Sequence, residues 1–479
     1  MHAREGTPIA VIVGGSIAGL ASAIALSEIG YRVVILERSA APPTGPIADV
    51  ANAWRRPTVP QATQSHVMTS LGLRVLRQRA PDVLAAALHA GGELVDLMDA
   101  FPPAATRRER EPGDEELVVL GCRRTTFELV LYRAAAALPL VAIRHDVKVS
   151  SLELAGDGRH IAGVITDRGE RIAAAVVIDA TGRRACSTAW LQAAGVTPPP
   201  DLTSDTSVIA YARFYRLANH TPGMRPSPMN RGTAVGDLFD HYLGVLHLGD
   251  GGTFSVGLGA LPGDRSLAAL REPAGFTAAA HATPGLGPWL DRATPISDVR
   301  GLTWPPNMLR GTAAGREPVV AGLFPVGDAA CITNPMYGRG ISLALAQAFG
   351  LADVLRDAPD LDTAQLRSTR MVEELCLPWY RHAVATDADR IERWTAARNG
   401  EAPRPRPVLP IVAAAATSGA VWRGVMRVQM CLRTPAETFE DESFRTQVRE
   451  APPIEPPQLH GPSRSELVHA MASAMEDRP

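Results

Sequence analysis

Between residues 327 and 346 the chain reads GDAACITNPMYGRGISLALA. An acid, Asp328, follows Gly327. A rigid Asn-Pro break at Pro335 and two close glycines, Gly338 and Gly340, come next, and an apolar helix is expected from Ile341. A helix N-terminus offers unpaired N–H groups and a partial positive charge, and glycines let a ligand approach the backbone. The stretch reads as a cradle, but alone it does not name the ligand.

The other end of the chain narrows the ligand. Gly14-Gly15-Ser16-Ile17-Ala18-Gly19 follows the spacing G-x-G-x-x-G, with Ser16 in place of the middle glycine. Gly14 would make the tight turn, Ser16 would touch a pyrophosphate, and Gly19 would let helix and strand pack closely. Ala18 lies inside the same turn. Glu37 ends the next strand, 23 residues after Gly14, where an acid accepts from ribose hydroxyls; Arg38 follows it. An acid there disfavours a 2′-phosphate, so the site suits FAD or NAD. NAD has no use for a second cradle some 300 residues away. FAD does: Asp328 would meet its ribityl hydroxyls, Pro335 and the Gly338–Gly340 backbone would lie beside its ring, and the helix from Ile341 would point at the ring positions that gain charge on reduction.

The elements that must position these residues are legible in outline. Residues 8–39 form a strand, a glycine turn, a helix and a second strand, a βαβ unit. Residues 60–100 read as helices, including SHVMTSLGLRVLRQRA, and the mixed-charge segment 106–117 as a solvated loop. A strand end and a helix follow at 121–138. Three runs between 140 and 182, separated by AGDGR and DRGE, predict a three-stranded antiparallel meander. Residues 205–305 are β-rich with Gly, Pro and Asp turns, a second, antiparallel sheet. The expected class is α/β, a doubly wound FAD-binding domain with an antiparallel substrate-facing sheet. Its parts would be 1–204 and 306–400 for the FAD domain, 205–305 for the sheet, and 401–479 for a helical tail behind a Pro-rich link at 401–410.

Composition excludes several classes. A net charge of −2 favours neither nucleic acid nor acidic membranes. The five cysteines are scattered, with no CxxC pair or His/Cys cluster, so neither a metal site nor a disulfide framework is expected. The N-terminus runs directly into a strand, and the apolar segment 410–422 is too short to span a bilayer. A cytoplasmic protein without stable membrane insertion is expected; nothing sets its oligomeric state. Lys148 is the sole lysine and sits in a strand-like run.

VGGSIAGL, PQATQSHVMTSLG, Arg124 with FELVL, DATGR at 179–183, and GDAACITNPMYGRG resemble the single-component FAD-dependent monooxygenases of the p-hydroxybenzoate hydroxylase type. The resemblance spans most of residues 8–350 and is nearest to an actinobacterial branch that includes polyether-precursor epoxidases. It implies that Arg124 contacts the cofactor, that Asp328 binds the ribityl chain and that Asp179 belongs to the cofactor site. It also implies that NADPH, or NADH, docks transiently, reduces FAD and leaves, after which O2 forms a C4a-hydroperoxide that oxygenates the substrate. The branch usually continues DATGR with Gly-Ser-Arg, whereas this chain has Arg184-Ala185-Cys186.

The substrate, a bulky hydrophobic secondary metabolite to be epoxidised or hydroxylated, should lie between flavin and sheet. Tyr211, Arg213 and Tyr215 share one face of a strand; Ala210, Ala212 and Phe214 share the other. Which set meets the ligand is open. Tyr211, Arg213, Tyr337 and His66 are the catalytic candidates. Three rivals share the fold. A halogenase needs a lysine at its site and a W-x-W-x-I-P segment; the segment is absent and Lys148 is expected in the meander. A double-bond reductase of the geranylgeranyl-reductase type would add hydrogen without oxygen. A non-redox FAD-binding cyclase or scaffold would leave the flavin idle.

Overall fold

The computed structural model describes residues 7–314, 320–401, 409–453 and 461–476; most of the Pro-rich link expected at 401–410 lies outside them. Five parallel strands form the first sheet, in the order Leu323–Pro325, Val176–Asp179, Ile9–Val13, Arg32–Leu36, Val141–Arg144. The runs are short and β-branched because both faces are covered, one by helices such as Ile17–Glu28 and Gly340–Asp357 and the other by an antiparallel meander, so no side chain can be polar without cost. Ala10, Val11 and Ile12 are fully buried. Val13 pairs with both Leu36 and Asp179, and Asp179 pairs with Pro325, so four strands end at one level. The loops that follow, at 14–16, 37–38, 180–184 and 327–328, therefore gather at a single carboxyl-end crevice, the place where open α/β sheets bind ligands.

The meander forms as expected from Val149–Leu154, Ile161–Thr166 and Arg171–Ala173. The flanking ends of its sequence runs, Val141–Arg144 and Val176–Asp179, join the parallel sheet instead. The antiparallel sheet has six strands, ordered Val235–Leu238, Leu243–Leu248, Thr253–Ala260, Ile209–Leu217, Ala293–Pro295, with Arg300–Thr303 also pairing to Ile209–Leu217. Its far face is covered by the helix Pro273–Ala282 and by the C-terminal helices Gly419–Gln429 and Arg464–Glu476, whose Trp422, Met426, Leu467 and Met471 join the core around Phe254 and Trp289. Among the described residues no helix is long and apolar enough to cross a membrane.

Two sequence expectations need correction. The helix read from residue 65 begins at Ser70. Ahead of it, Gln64 Nε2 donates to Arg300 O at 3.0 Å, Ser65 bonds Ser255 at 2.7 Å and Met68 bridges Leu120, so tertiary contacts hold 64–68 extended. The mixed-charge segment 106–117 is not wholly solvated. Asp114 is buried and accepts from Arg423 Nε and Nη2 at 2.9–3.0 Å, which anchors the C-terminal helices. Burial is the largest single influence and raises the Asp114 pKa, but the Arg423 hydrogen bonds, the Glu111 N–H and the charges of Arg423 and Arg427 together outweigh it and the net shift is downward.

Candidate active site

A cavity of about 470 Å3 runs from the carboxyl-end crevice to the antiparallel sheet. That is within the usual range for small-molecule and cofactor sites. Most of the residues singled out in the sequence line it: Gly14, Ser16, Ala18, Glu37, Arg38, His66, Arg124, Gly327, Asp328, Pro335, Gly338, Gly340 and Ile341.

The crevice end is built by close backbone packing. Gly14 has φ +110°, and a Cβ there would lie 2.4 Å from Ala180 O; one on Gly19 would lie 1.9 Å from Gly14 O. Gly19 thus packs the turn from below and does not line the cavity. Ser16 stands at the N-cap of the helix Ile17–Glu28 without capping it, and the first turn holds no acid. Its Oγ instead accepts from Arg124 Nη2 at 3.0 Å, while Arg124 Nε is buried without a hydrogen-bond partner. Glu37 is buried and pre-positioned, accepting from Gly15 N–H at 2.7 Å and Ser39 N–H at 2.8 Å. Each of its oxygens keeps further accepting capacity.

The second cradle meets the first directly. Gly327 has φ +61°, and a Cβ there would come within 2.8 Å of the Ala18 Cβ. Asp328 faces the cavity with no hydrogen-bond donor on it among the described residues. Burial raises its pKa, against the pull of Arg124 and Arg183. The helix Gly340–Asp357 has no side-chain cap and no acid in its first turn. A Cβ on Gly340 would meet nothing nearer than Asp328 Oδ1 at 4.0 Å, so no protein packing demands glycine there; the space beside it belongs to the cavity. Two helix N-termini with free N–H groups therefore open into one cavity.

Several residues that hold this cradle were missed in the sequence. Asp387, on the helix Leu361–Asn399, accepts from Asn307 Nδ2 at 2.7 Å, Asn334 Nδ2 at 2.5 Å and Arg390 Nη2 at 3.2 Å. Asn307 Oδ1 in turn accepts from Asn334 N–H at 2.7 Å. The Asn-Pro break is thus pinned by three residues scattered along the chain, which no local pattern announces.

Four expected site residues lie elsewhere. Asp179 is fully buried, and its carboxylate is taken up by the backbone N–H and hydroxyl groups of Thr181 and Ser187, so it shapes the DATGR turn and has no face toward the cavity. Tyr211 and Arg213 point to the far side of their strand. Tyr211 packs on the far-side core, and Arg213 donates to Ser297 O and Thr277 Oγ1. The face turned to the cavity carries Ala210 and Ala212. Tyr337 donates to Thr386 and sits against Arg339, away from the cavity lining.

The sheet end is apolar, lined by Ala210, Ala212, Leu243, Val245, Gly257, Leu302 and Trp304, with His66 and His247 among them. His247 was not singled out, although a lone histidine in the apolar run YLGVLHL was the available signal. Lys148 lines the crevice end, beside Val147 and Val149.

No protein-family model matches the chain. It is similar to Protein Rv3254 of Mycobacterium tuberculosis, 28% identical over 381 residues that cover 74% of this chain and 75% of that protein. Among solved structures it is similar to PqsL, a probable FAD-dependent monooxygenase from Pseudomonas aeruginosa, at 16% identity and a TM-score of 0.56, covering 82% of this chain and 99% of that one. It is also similar to PyrE3, a Diels-Alderase of pyrroindomycin biosynthesis, at 17% identity and a TM-score of 0.53, covering 88% and 80%. These likenesses establish the fold as the one found in FAD-dependent monooxygenases. They leave the reaction to be argued from the site.

Proposed function

We propose that the chain binds FAD in this cavity and, with electrons from NADPH or NADH, places one oxygen atom from O2 into a hydrophobic metabolite held against the antiparallel sheet, by epoxidation or hydroxylation. The observation that carries the reading is the pair of open helix N-termini sharing one cavity whose other end is an apolar sheet face. The residues fit the cofactor. Ser16, Arg38 and Arg124 offer donors and positive charge for a diphosphate, and Glu37 offers acceptors for ribose. Asp328 offers a free carboxylate for hydroxyls, and Pro335, Gly338, Gly340 and Ile341 leave room for a flat ring. When bound, FAD supplies the two-electron redox and oxygen chemistry.

The protein's own part is positioning and exclusion. The N–H groups at Gly340 and Ile341 favour negative charge beside them. Ala210, Ala212, Leu243, Val245 and Leu302 keep water from the sheet end and leave space for a bulky apolar molecule. Purified protein should be yellow and release FAD on denaturation. Turnover under 18-O2 with NADPH should give a product heavier by one 18-O atom. A product that gains two hydrogens would establish a reductase. A rearranged product of unchanged mass, formed without NADPH or O2, would establish a non-redox cyclase.

A further inference from the structure

The sheet end holds two imidazoles in apolar surroundings, and their arrangement is built. Leu243, Val245 and His247 alternate on the face of their strand that turns to the cavity. His66 arrives on the loop ahead of Ser70. The Ser65–Ser255 hydrogen bond of 2.7 Å fastens that loop to the neighbouring strand, and Ser255 is the register partner of His247. The same staple thus brings both histidines to one corner of the cavity.

Each ring is oriented by its Nδ1. In His66 this atom lies 2.9 Å from Gln64 O, and in His247 it lies 3.3 Å from Thr233 O. A carbonyl oxygen can only accept, so Nδ1 carries the proton and Nε2 keeps its lone pair. Neither Nε2 has a partner among the described residues. Burial lowers the His66 pKa to about 3, with Arg124 adding to the effect, and burial lowers that of His247 to about 4. Both rings are neutral at pH 7, so both Nε2 atoms remain acceptors.

We infer that His66 and His247 select the substrate, through their two Nε2 acceptors, as an uncharged molecule that presents a hydroxyl or N–H donor on an apolar frame. The inference rests on the reading of this cavity end as the substrate chamber. Two lone pairs repel a carboxylate. A metal ion would need a further ligand, and no group of three His, Cys, Asp or Glu among the described residues could hold one. A donor, by contrast, satisfies acceptors that dry surroundings otherwise leave unpaired, and a site built to bond a hydroxyl strongly rejects the analogue lacking it.

The test is a titration of the full-length, FAD-loaded protein, labelled with 15N-histidine, in the absence of any reductant. The Nε2 resonances of His66 and His247, assigned with His66→Gln and His247→Gln, should lie in the unprotonated range at pH 7. Benzyl alcohol should move at least one of them and bind about ten-fold more tightly than benzyl methyl ether. Benzoate should have no effect. An equal response to alcohol and ether, a response to benzoate alone, no response at all, or protonated Nε2 atoms at pH 7 would each overturn the inference. Should either variant fail to fold, His66→Asn or His247→Asn supplies the same assignment, and every outcome is then read from wild-type spectra. The titration consumes neither NADPH nor O2 and can be repeated on protein without FAD. Failure of the oxygenase reading would therefore show in the 18-O2 experiment and leave the histidine result standing.

Discussion

Removing the Asp328 carboxylate should move apo-protein stability and FAD affinity in opposite directions. Among the described residues no donor bonds to Asp328, so Asp328→Ala breaks no hydrogen bond of the protein alone. Burial raises the carboxyl's pKa above 3.8 despite Arg124 and Arg183. The folded chain therefore holds this proton more tightly than the unfolded one, and the group costs stability increasingly as pH rises from 3.8 through its folded value. At pH 7 the variant should melt no lower than wild type, and its stability should depend less on pH in that window. FAD should bind more weakly. A hydrogen bond to a charged group contributes about 1.5–3 kcal/mol, which at 1.4 kcal/mol per decade is roughly 10- to 150-fold in Kd. One term opposes this: without the acid, Arg124 and Arg183 attract a diphosphate more strongly. Charge effects without contact are typically below about 1 kcal/mol where water reaches the site, so the lost bonds should dominate. Calorimetric titration of apo protein with FAD, with melting curves from pH 4 to 8, reads both quantities. An Asp328→Ala protein holding FAD within two-fold of wild type would refute the role. A melting temperature that falls by many degrees would instead make Asp328 a structural residue.

Gly340→Ala places a Cβ in cavity space and should leave the apo fold at least as stable, by up to about 1 kcal/mol, while weakening FAD retention; Gly14→Ala, at φ +110° and 2.4 Å from Ala180 O, should lower the melting temperature of the apo protein itself. Arg423→Ala removes the closest cation from buried Asp114, leaving it the Glu111 N–H at 2.9 Å and Arg427 at 3.6 Å, and should cost about 1.5–3 kcal/mol by urea denaturation; replacing both Asp114 and Arg423 with apolar residues should recover part of that loss. Burial lowers the pKa of His66 and His382 to about 3 and of His241 and His247 to about 4. The unfolded chain takes up these protons near pH 6.5, so stability should be full above pH 6.5 and fall as pH drops toward 4, a slope that His382→Gln reduces; a flat stability profile from pH 7 to 5 would count against buried neutral histidines.

The glycine motifs were legible because their demand is local. A positive φ at Gly14 or Gly338, or a Cβ-free approach at Gly19, is a property of a few residues and their nearest backbone. The acid at Glu37 was legible because a βαβ unit fixes how far along the chain the second strand must end. What a strand's alternation cannot say is which face meets the ligand. Tyr211 and Arg213 look better suited to chemistry than Ala210 and Ala212, but the helix Pro273–Ala282 covers their side of the sheet and Thr277 takes up Arg213. Asp179 misled for a related reason. An acid at a strand's carboxyl end can meet a ligand or can hold its own turn, and Thr181 and Ser187 decide between these only once the turn is folded. The Asn307–Asn334–Asp387 clamp joins positions up to 80 residues apart, and nothing in their local patterns links them.

The charge of the whole chain, −2, conceals a polarised cavity. Arg38, Arg124, Lys148, Arg183 and Arg184 line its crevice end, where Glu37 and Asp328 are the lining acids, whereas the sheet end is mainly aliphatic and indole, with His66, His247, Gln64 and Ser65 as its polar side chains; Arg339 also lines the cavity, its guanidinium packed on Tyr337 and Trp379. Arg56 adds little to this field, since it is paired with Glu128 at 2.9 Å. A ligand that fills such a cavity must therefore be anionic toward the strand ends and apolar toward the sheet. A dinucleotide alone would leave the sheet end empty, and an apolar substrate alone would leave the cations unmatched. FAD together with an uncharged substrate meets both demands. One distribution of charge thus supports both the proposed cofactor and the proposed substrate class, and on that proposal a screen for substrates should begin with neutral, hydroxylated hydrophobes rather than with acids.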